Sequence, residues 1–419
     1  MIVRFCLYSI LKNLRFADPF VLLFLLDLGS SYTQIGMLFG FGAFVTAVLE
    51  VPSGVLADRW GRISSVAACF VFYAVTFALF PAASSVTGSV RTGVLYGAAT
   101  TFAIGEALRT GGHKSIMLDW LDSAGESHRA TAVIGLARAF SKYTAALSAL
   151  VGGLVLFATR DYRWLFYGSA AAALGGVVLM RSYPKELEGE HRRDATHGRD
   201  GPHGRGVGWR RLTRIAAAPG FASLFIQSVM FESQSELMLK YYLQPLLKET
   251  LRAGGMAVVG VGAVWIGLYE FIRGGLGGTG AVVSARLERR AGGSDAALRY
   301  AYRGCLLISL AVALCAWAGW LVAGLVLLVL LTVLQNARRP IFVSAFNQVM
   351  HKPQRATTLS LENQARSLSN AVWLPVAGWA ADRWGLAVMF ALTAGVLTLG
   401  LTARRPGRTV GGHGSAAPR

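Results

Sequence analysis

Apolar blocks of about twenty residues, separated by short polar turns, recur from one end of this chain to the other. An α-helix of about twenty residues is long enough to cross the hydrocarbon core of a bilayer, about 30 Å thick. With 54% hydrophobic and 15% charged residues among 419, the chain is too apolar for an ordinary soluble globule. The pattern therefore predicts an all-α membrane protein that crosses the bilayer many times.

Twelve of these blocks predict twelve transmembrane helices. The expected ranges are 5–28, 33–57, 63–81, 94–118, 130–158, 164–182, 215–247, 256–283, 301–320, 323–349, 358–381 and 386–403. Between the halves, the chain is rich in Glu, His, Arg, Asp and Gly, and it has too few apolar side chains there to fold alone. We predict an N-terminal six-helix bundle (1–182), a cytoplasmic linker (183–213), a C-terminal six-helix bundle (214–403) and a disordered basic tail (404–419).

The formal charge of +19 is unevenly distributed along the chain. Lys and Arg are concentrated near both ends, in the central linker and in every second turn, whereas the intervening turns carry few. Cytoplasmic loops of membrane proteins carry such an excess of basic residues. We therefore expect the protein to lie in a plasma or inner membrane, with both termini and the linker on the cytoplasmic side. The charge then reflects topology, and no nucleic-acid partner is expected.

The sequence carries no pattern typical of a catalytic or cofactor site. Its four cysteines lie singly in apolar blocks, without the paired spacing of a disulfide framework or a zinc site. No Gly-x-x-x-x-Gly-Lys-[Ser/Thr] phosphate loop is present. Charged residues interrupt the first apolar block, so no cleavable signal peptide is expected. The sequence predicts no cofactor, no metal site and no enzymatic activity.

The two halves resemble each other at a nearly constant offset, which indicates an internal duplication. The matched pairs are Pro19 with Pro245 and Arg129 with Arg355 at an offset of 226, Arg138 with Arg366 at 228, and Arg109 with Arg339 at 230. A duplicated chain of this kind forms two bundles related by pseudo-symmetry. The arginine pairs would then lie on opposing walls of the space between the bundles.

The most specific local motif spans residues 49–62 and reads Leu-Glu-Val-Pro-Ser-Gly-Val-Leu-Ala-Asp-Arg-Trp-Gly-Arg. Gly54 would let another helix approach closely, and Gly61 can adopt the positive φ that a chain reversal often requires. Asp58, Arg59 and Arg62 follow where the apolar run ends. Two membrane helices therefore meet at a short charged hairpin.

This hairpin resembles the signature loop between helices 2 and 3 of the major facilitator superfamily, Gly-x-Leu-Ala-Asp-Arg-x-Gly-Arg-[Lys/Arg]. Every specified position matches except the last, where Ile63 replaces a basic residue. The resemblance implies two six-helix bundles that rock about a site at mid-membrane, while Asp58, Arg59 and Arg62 make and break contacts with the opposite bundle. The alternative is a charge cluster that only orients the hairpin in the membrane.

A second copy of Ala-Asp-Arg-Trp-Gly occupies residues 381–385. It follows predicted helix 11, so it faces the side of the membrane opposite the hairpin. By position it corresponds to residues 161–164, before helix 6, and we do not expect it to act as a second signature loop.

Charged residues also lie inside the predicted helices, where each costs about 2.5 to 3.5 kcal/mol on insertion scales unless it faces a cavity or a partner. Two interpretations stay open: the side chains line a wet cavity that binds an anionic or polar solute and carries protons, or they form a latch between the halves. The candidates are Glu106, Arg109, Arg138, Lys142, Glu232, Glu236, Lys240, Arg339, Glu362 and Arg366. Glu50, close to Pro52, is either a further proton carrier or a hydrogen-bond partner of a neighbouring helix.

The function implied by the resemblance is proton-coupled secondary transport of a small polar or anionic solute by a monomer in a lipid bilayer. Residues 148–153, Ser-Ala-Leu-Val-Gly-Gly, lack the proline of the exporter pattern Gly-Pro-x-x-Gly-Gly. The exporter pattern is thus met only in part, through its two glycines, and multidrug efflux by proton antiport is kept as an alternative function. A non-transporting receptor on the same scaffold is a second alternative.

Overall fold

The computed structural model describes residues 1–110, 112–184, 187, 221–349 and 355–402, and within them all side chains except those of residues 58, 221, 281–282, 347–349, 355–359 and 402. Helices account for nearly all of the described chain, and no strand occurs in it. Most of the predicted linker and the whole predicted tail lie outside these ranges, so their boundaries stay predictions.

The described part of the first half contains eight α-helices. They are α1 (Ile2–Asn13), α2 (Val21–Asp27), α3 (Tyr32–Trp60), α4 (Arg62–Ala83), α5 (Gly88–Arg109), α6 (Gly112–Ser123), α7 (Ala130–Thr159) and α8 (Arg163–Arg181). The described part of the second half contains α9 (Phe221–Glu236), α10 (Leu243–Ala253), α11 (Ala263–Gly277), α12 (Gly280–Ala291), α13 (Ser294–Trp317), α14 (Leu321–Val349) and α15 (Arg355–Thr402). A π-helical turn, Leu237–Tyr242, joins α9 to α10.

In the described ranges, eight helices are long and apolar enough to cross a membrane. One of them, 360–401, comprises two crossings, because Gly385 adopts a φ of 83° and breaks α15. The remaining three crossings are interrupted or charged helices, namely α1 with α2, α5 with α6, and α9 with α10. The predicted all-α membrane fold is confirmed, and this arrangement agrees with the predicted twelve transmembrane helices in two bundles.

Several helices end elsewhere than the hydropathy pattern predicted. The predicted helix 4 (94–118) is broken after Arg109, where Thr110 has an extended ψ of 118°, and α6 continues to Ser123. The predicted helix 8 (256–283) continues through α12 to Ala291. A polar residue ends an apolar run in the sequence, but the helix itself can continue beyond it into the membrane interface. The two predicted helices therefore stopped several residues before the helical structure does.

The two bundles meet along two seams, where α3 packs against α15 and α7 packs against α11. A Cβ atom built on Gly36 of α3 would lie 2.3 Å from the carbonyl oxygen of Leu374, and one on Gly153 of α7 would lie 2.4 Å from that of Ala263. The backbones therefore touch at both seams, and only glycine fits there. These contacts lie near the helix ends remote from the 58–62 turn. We call this the far side and the opposite one the hairpin side.

Candidate functional site

A partly buried ionic cluster surrounds Glu106 in the first bundle. Its carboxylate accepts hydrogen bonds from Tyr73 Oη at 2.5 Å, Arg109 Nη2 at 2.5 Å and Arg15 Nη2 at 3.2 Å. The Arg15 guanidinium also lies over the Tyr73 ring, 4.3 Å from its centroid. Arg15 is one of the basic residues near the N-terminus, an end that was predicted to be cytoplasmic. Its side chain nevertheless reaches into the bundle at the break between α1 and α2.

A second cluster joins α9, α14 and α15 in the second bundle. Glu232 accepts from Arg338 Nη1 at 2.9 Å, and Arg339 Nη1 lies 2.9 Å from both oxygens of Glu362. Ser228 also donates to Glu362. Arg338 is only 2% exposed and was missed as a candidate, because the sequence does not tell which of two adjacent arginines faces the protein interior.

Glu236 forms the third charged centre. Its Oε2 accepts from Arg366 Nη1 at 3.2 Å and from Asn370 Nδ2 at 3.0 Å. Lys240 Nζ lies 3.4 Å from Oε1, across the π-helical turn that follows Glu236. This arrangement places two cations and an amide around one carboxylate.

A cavity of about 300 Å³ lies between the two bundles. Its lining residues are Lys142, Glu232, Gln335, Asn336, Arg339, Glu362, Asn363 and Arg366. Lys142 belongs to α7 of the first bundle, whereas the others belong to the second. Lys142 lies about 18 Å from the start of α7 at about 1.5 Å per residue, so the cavity reaches close to the middle of this 30-residue helix.

Of the ten charged candidates within the helices, five line this cavity: Lys142, Glu232, Arg339, Glu362 and Arg366. Glu236 lies behind Arg366, and Arg138 lies one turn before Lys142 on α7. Neither Arg138 nor Lys142 has an ion-pair or hydrogen-bond partner among the described residues. Glu106 and Arg109 form a separate cluster in the first bundle, so the structure brings only part of the predicted set together.

The hairpin matches its prediction in part. Gly61 adopts a φ of 95°, which confirms the expected positive φ, and Arg62 Nη1 lies 2.6 Å from Asp119 Oδ2 within the same bundle. A Cβ atom built on Gly54 would meet no atom within 4 Å, so the expected close helix approach is absent in this conformation. Arg59 is exposed. The side chain of Asp58 lies outside the described residues, so its contacts stay predictions.

Glu50 is half-buried on α3, and its carboxylate has no hydrogen-bond or ion-pair partner within the described part of the chain. One turn away, Gln364 Nε2 donates to the carbonyl oxygen of Ala47 at 3.0 Å. This hydrogen bond crosses the α3–α15 seam. Glu50 therefore lies close to the second bundle without an ion pair of its own.

The second Ala-Asp-Arg-Trp-Gly segment lies on the far side, as the sequence predicted. There Asp382 accepts hydrogen bonds from the backbone N–H groups of Tyr32 at 2.9 Å and Thr33 at 2.7 Å, and from the Thr33 hydroxyl at 2.6 Å. A residue of the second bundle thus caps the N-terminus of a helix in the first.

Further polar contacts join the bundles on the far side. Lys248 Nζ of the second bundle lies 2.9 Å from Asp27 Oδ1 of the first, and Tyr162 Oη, also of the first bundle, donates to Asp27 Oδ2 at 2.9 Å. Burial, reinforced by the Asp27 carboxylate, raises the pKa of Tyr162, so its hydroxyl stays a donor. Arg160 Nη1 donates to the carbonyl oxygen of Val259 at 3.2 Å. The far side is held together by an ion pair and several hydrogen bonds.

A sequence model of the Major Facilitator Superfamily matches residues 5–373. The chain belongs to this family of membrane transporters. An uncharacterized MFS-type transporter of Bacillus subtilis (strain 168), YxaM, is 36% identical to it over 76 residues. The matched stretch is 18% of this chain and 19% of that relative, so it spans about a fifth of either protein.

Solved transporter structures share the fold of this chain. The nucleoside transporter NupG superposes with a TM-score of 0.66 at 15% identity, covering 96% of both chains. The peptide transporter POT in complex with sulfate gives 0.67 at 14% identity, covering 96% of this chain and 93% of that one. A D-xylose-proton symporter gives 0.64 at 12% identity, covering 96% and 95%. At these identities the likeness shows the fold alone.

Proposed function

We propose that the protein moves a small anionic or polar solute across the membrane by alternating access, coupled to protons. The observation that carries this proposal is the cavity between the bundles, lined by charged and amide side chains from both halves. Charged groups are expensive inside a membrane unless they face water or a partner, so a wet passage explains why they are kept.

The chemistry of the lining favours a polar solute over a hydrophobic drug. Its side chains are three cations, two carboxylates and three amides, and no aromatic residue is among them. Pockets for apolar ligands are instead lined mainly by hydrophobic and aromatic groups. This composition supports transport of a small polar solute over multidrug efflux.

The arrangement of contacts supports a rocking motion. The far-side ion pair and hydrogen bonds would hold this conformation closed there, and the cavity would be entered from the hairpin side. Opening the far side requires the glycine contacts at the two seams to separate and Asp382 to leave the N-terminus of α3. The excess of basic residues in the hairpin-side turns supports a cytoplasmic location for that side, in a plasma or inner membrane.

Proton coupling would use carboxylates in or near the cavity. Glu232, Glu236 and Glu362 are each bound by an arginine here, so they would take up a proton only after that arginine moves away. Glu50 has no such partner among the described residues and is the simplest carrier. Its protonation would remove a charge beside the second bundle as the seam moves.

Counterflow in proteoliposomes tests this function. The purified protein should exchange labelled solute across the membrane, and an imposed pH gradient should drive net uptake. Glu362→Gln should reduce exchange, whereas Glu126→Gln, in an exposed turn, should leave it unchanged. A protein that binds the solute but never exchanges it would instead be a receptor on this scaffold, and the proposal would be wrong.

A further inference from the structure

The pseudo-equivalent helices α7 and α15 carry corresponding polar pairs. Arg138 aligns with Arg366 at an offset of 228, and the same offset aligns Lys142 with Asn370. Both residues of the α15 pair donate to the same oxygen of Glu236, at 3.2 and 3.0 Å. Two donors one helical turn apart therefore form a carboxylate clamp in the second bundle.

The corresponding pair in the first bundle holds no carboxylate of the described residues. Arg138 and Lys142 are both cations, and neither contacts an acid among the described side chains. The helix α1, which packs against α7, contains no Asp or Glu. Arg273 of the adjoining α11 already binds Glu270 at 2.5 Å, so that acid does not serve the α7 pair either.

We propose that Arg138 and Lys142 bind a carboxylate of the transported solute, which takes the position in the first bundle that Glu236 takes in the second. This assignment rests on the proposed transport function and names its substrate class. Lys142 lines the cavity together with seven residues of the second bundle, which are two paired arginines, two paired glutamates and three amides, Gln335, Asn336 and Asn363. The solute is therefore a small carboxylate whose remaining atoms offer hydrogen-bonding groups.

Matched pairs of acids and amides test the clamp by thermal shift on the purified full chain. The probes are lactate with lactamide, succinate with succinamide, and glutarate with glutaramide, together with inorganic phosphate. At least one carboxylate should stabilise the protein, and its amide should bind at least tenfold more weakly, because about a tenfold to hundredfold loss follows when a charged hydrogen bond is removed. Stabilisation by none of the acids, or by phosphate more than by any acid, overturns the assignment.

Substitutions locate the effect. Lys142→Gln and Arg138→Gln should each weaken binding of that acid at least tenfold, Lys142→Arg should largely retain it, and Arg290→Gln, on the exposed end of α12, should not change it. Unchanged affinity in Lys142→Gln overturns the clamp even if transport is demonstrated. Lys142-dependent binding without any counterflow supports the clamp and instead refutes the transport function, so the two failures are distinguishable.

Discussion

Asp382 holds the two bundles together on the far side, and replacing it should shift the balance between conformations. Asp382→Ala removes the acceptor of three hydrogen bonds that reach Tyr32 and Thr33 across the α3–α15 seam. Loss of an N-cap acceptor costs about 0.5 to 2 kcal/mol. Because Asp382 is exposed, about 1 kcal/mol is the appropriate value, which changes an equilibrium constant about fivefold.

Hydrogen exchange can measure this shift without labels. The backbone amides of Tyr32 and Thr33 will exchange faster in Asp382→Ala whether or not the far side opens, because they lose their own hydrogen-bond acceptor. The informative segment is Val258–Gly262, on the other seam, where Arg160 donates to Val259. If far-side opening is cooperative, exchange there should also accelerate about fivefold.

The neighbouring Arg383 provides a matched control, since it is exposed and has no partner among the described residues. Arg383→Ala should leave exchange in both segments unchanged. If Asp382→Ala accelerates exchange only at Tyr32 and Thr33, then Asp382 is a local helix cap, and the reasoning that it links the bundles is refuted.

Three further changes give distinct expected results. Arg338→Met should destabilise the protein by about 3 to 5 kcal/mol, because the buried Glu232 carboxylate loses its closest cation and keeps only the more distant Arg339, at 4.0 Å, among the described residues; thermal unfolding measures this, and adding Glu232→Gln should recover most of the loss. Gly36→Leu should prevent far-side closure, since a Cβ atom there would lie 2.3 Å from a carbonyl oxygen; accessibility of the cavity to impermeant reagents from the far side should rise. Glu50→Gln should abolish pH-driven uptake but retain counterflow.

Each of these predictions has a contradictory outcome. Equal destabilisation in the single and double variants at Arg338 and Glu232 would mean that packing, not the unpaired charge, sets the cost. Unchanged far-side accessibility in Gly36→Leu would mean that the seam deforms around the side chain. Normal pH-driven uptake in Glu50→Gln would exclude that residue as the proton carrier.

Local sequence patterns predicted the parts of this protein that depend on nearby residues. The apolar runs predicted the crossings because a helix must satisfy its own backbone inside lipid. Gly61 predicted a chain reversal because glycine, which has no Cβ atom, can adopt a positive φ wherever it occurs. The repeat offset predicted two related bundles, since duplicated segments fold alike.

Tertiary structure alone decided which charges meet. Arg338 rather than Arg339 binds Glu232 most closely, and Arg15 reaches Glu106 because α1 and α2 are interrupted beside it. Asp382 caps a helix that begins 350 residues earlier in the chain. Hydropathy and residue spacing predict which helix a residue belongs to and how deep in the membrane it lies. Ion pairs and caps depend on the rotation and separation of two helices, which are fixed only when the bundles pack.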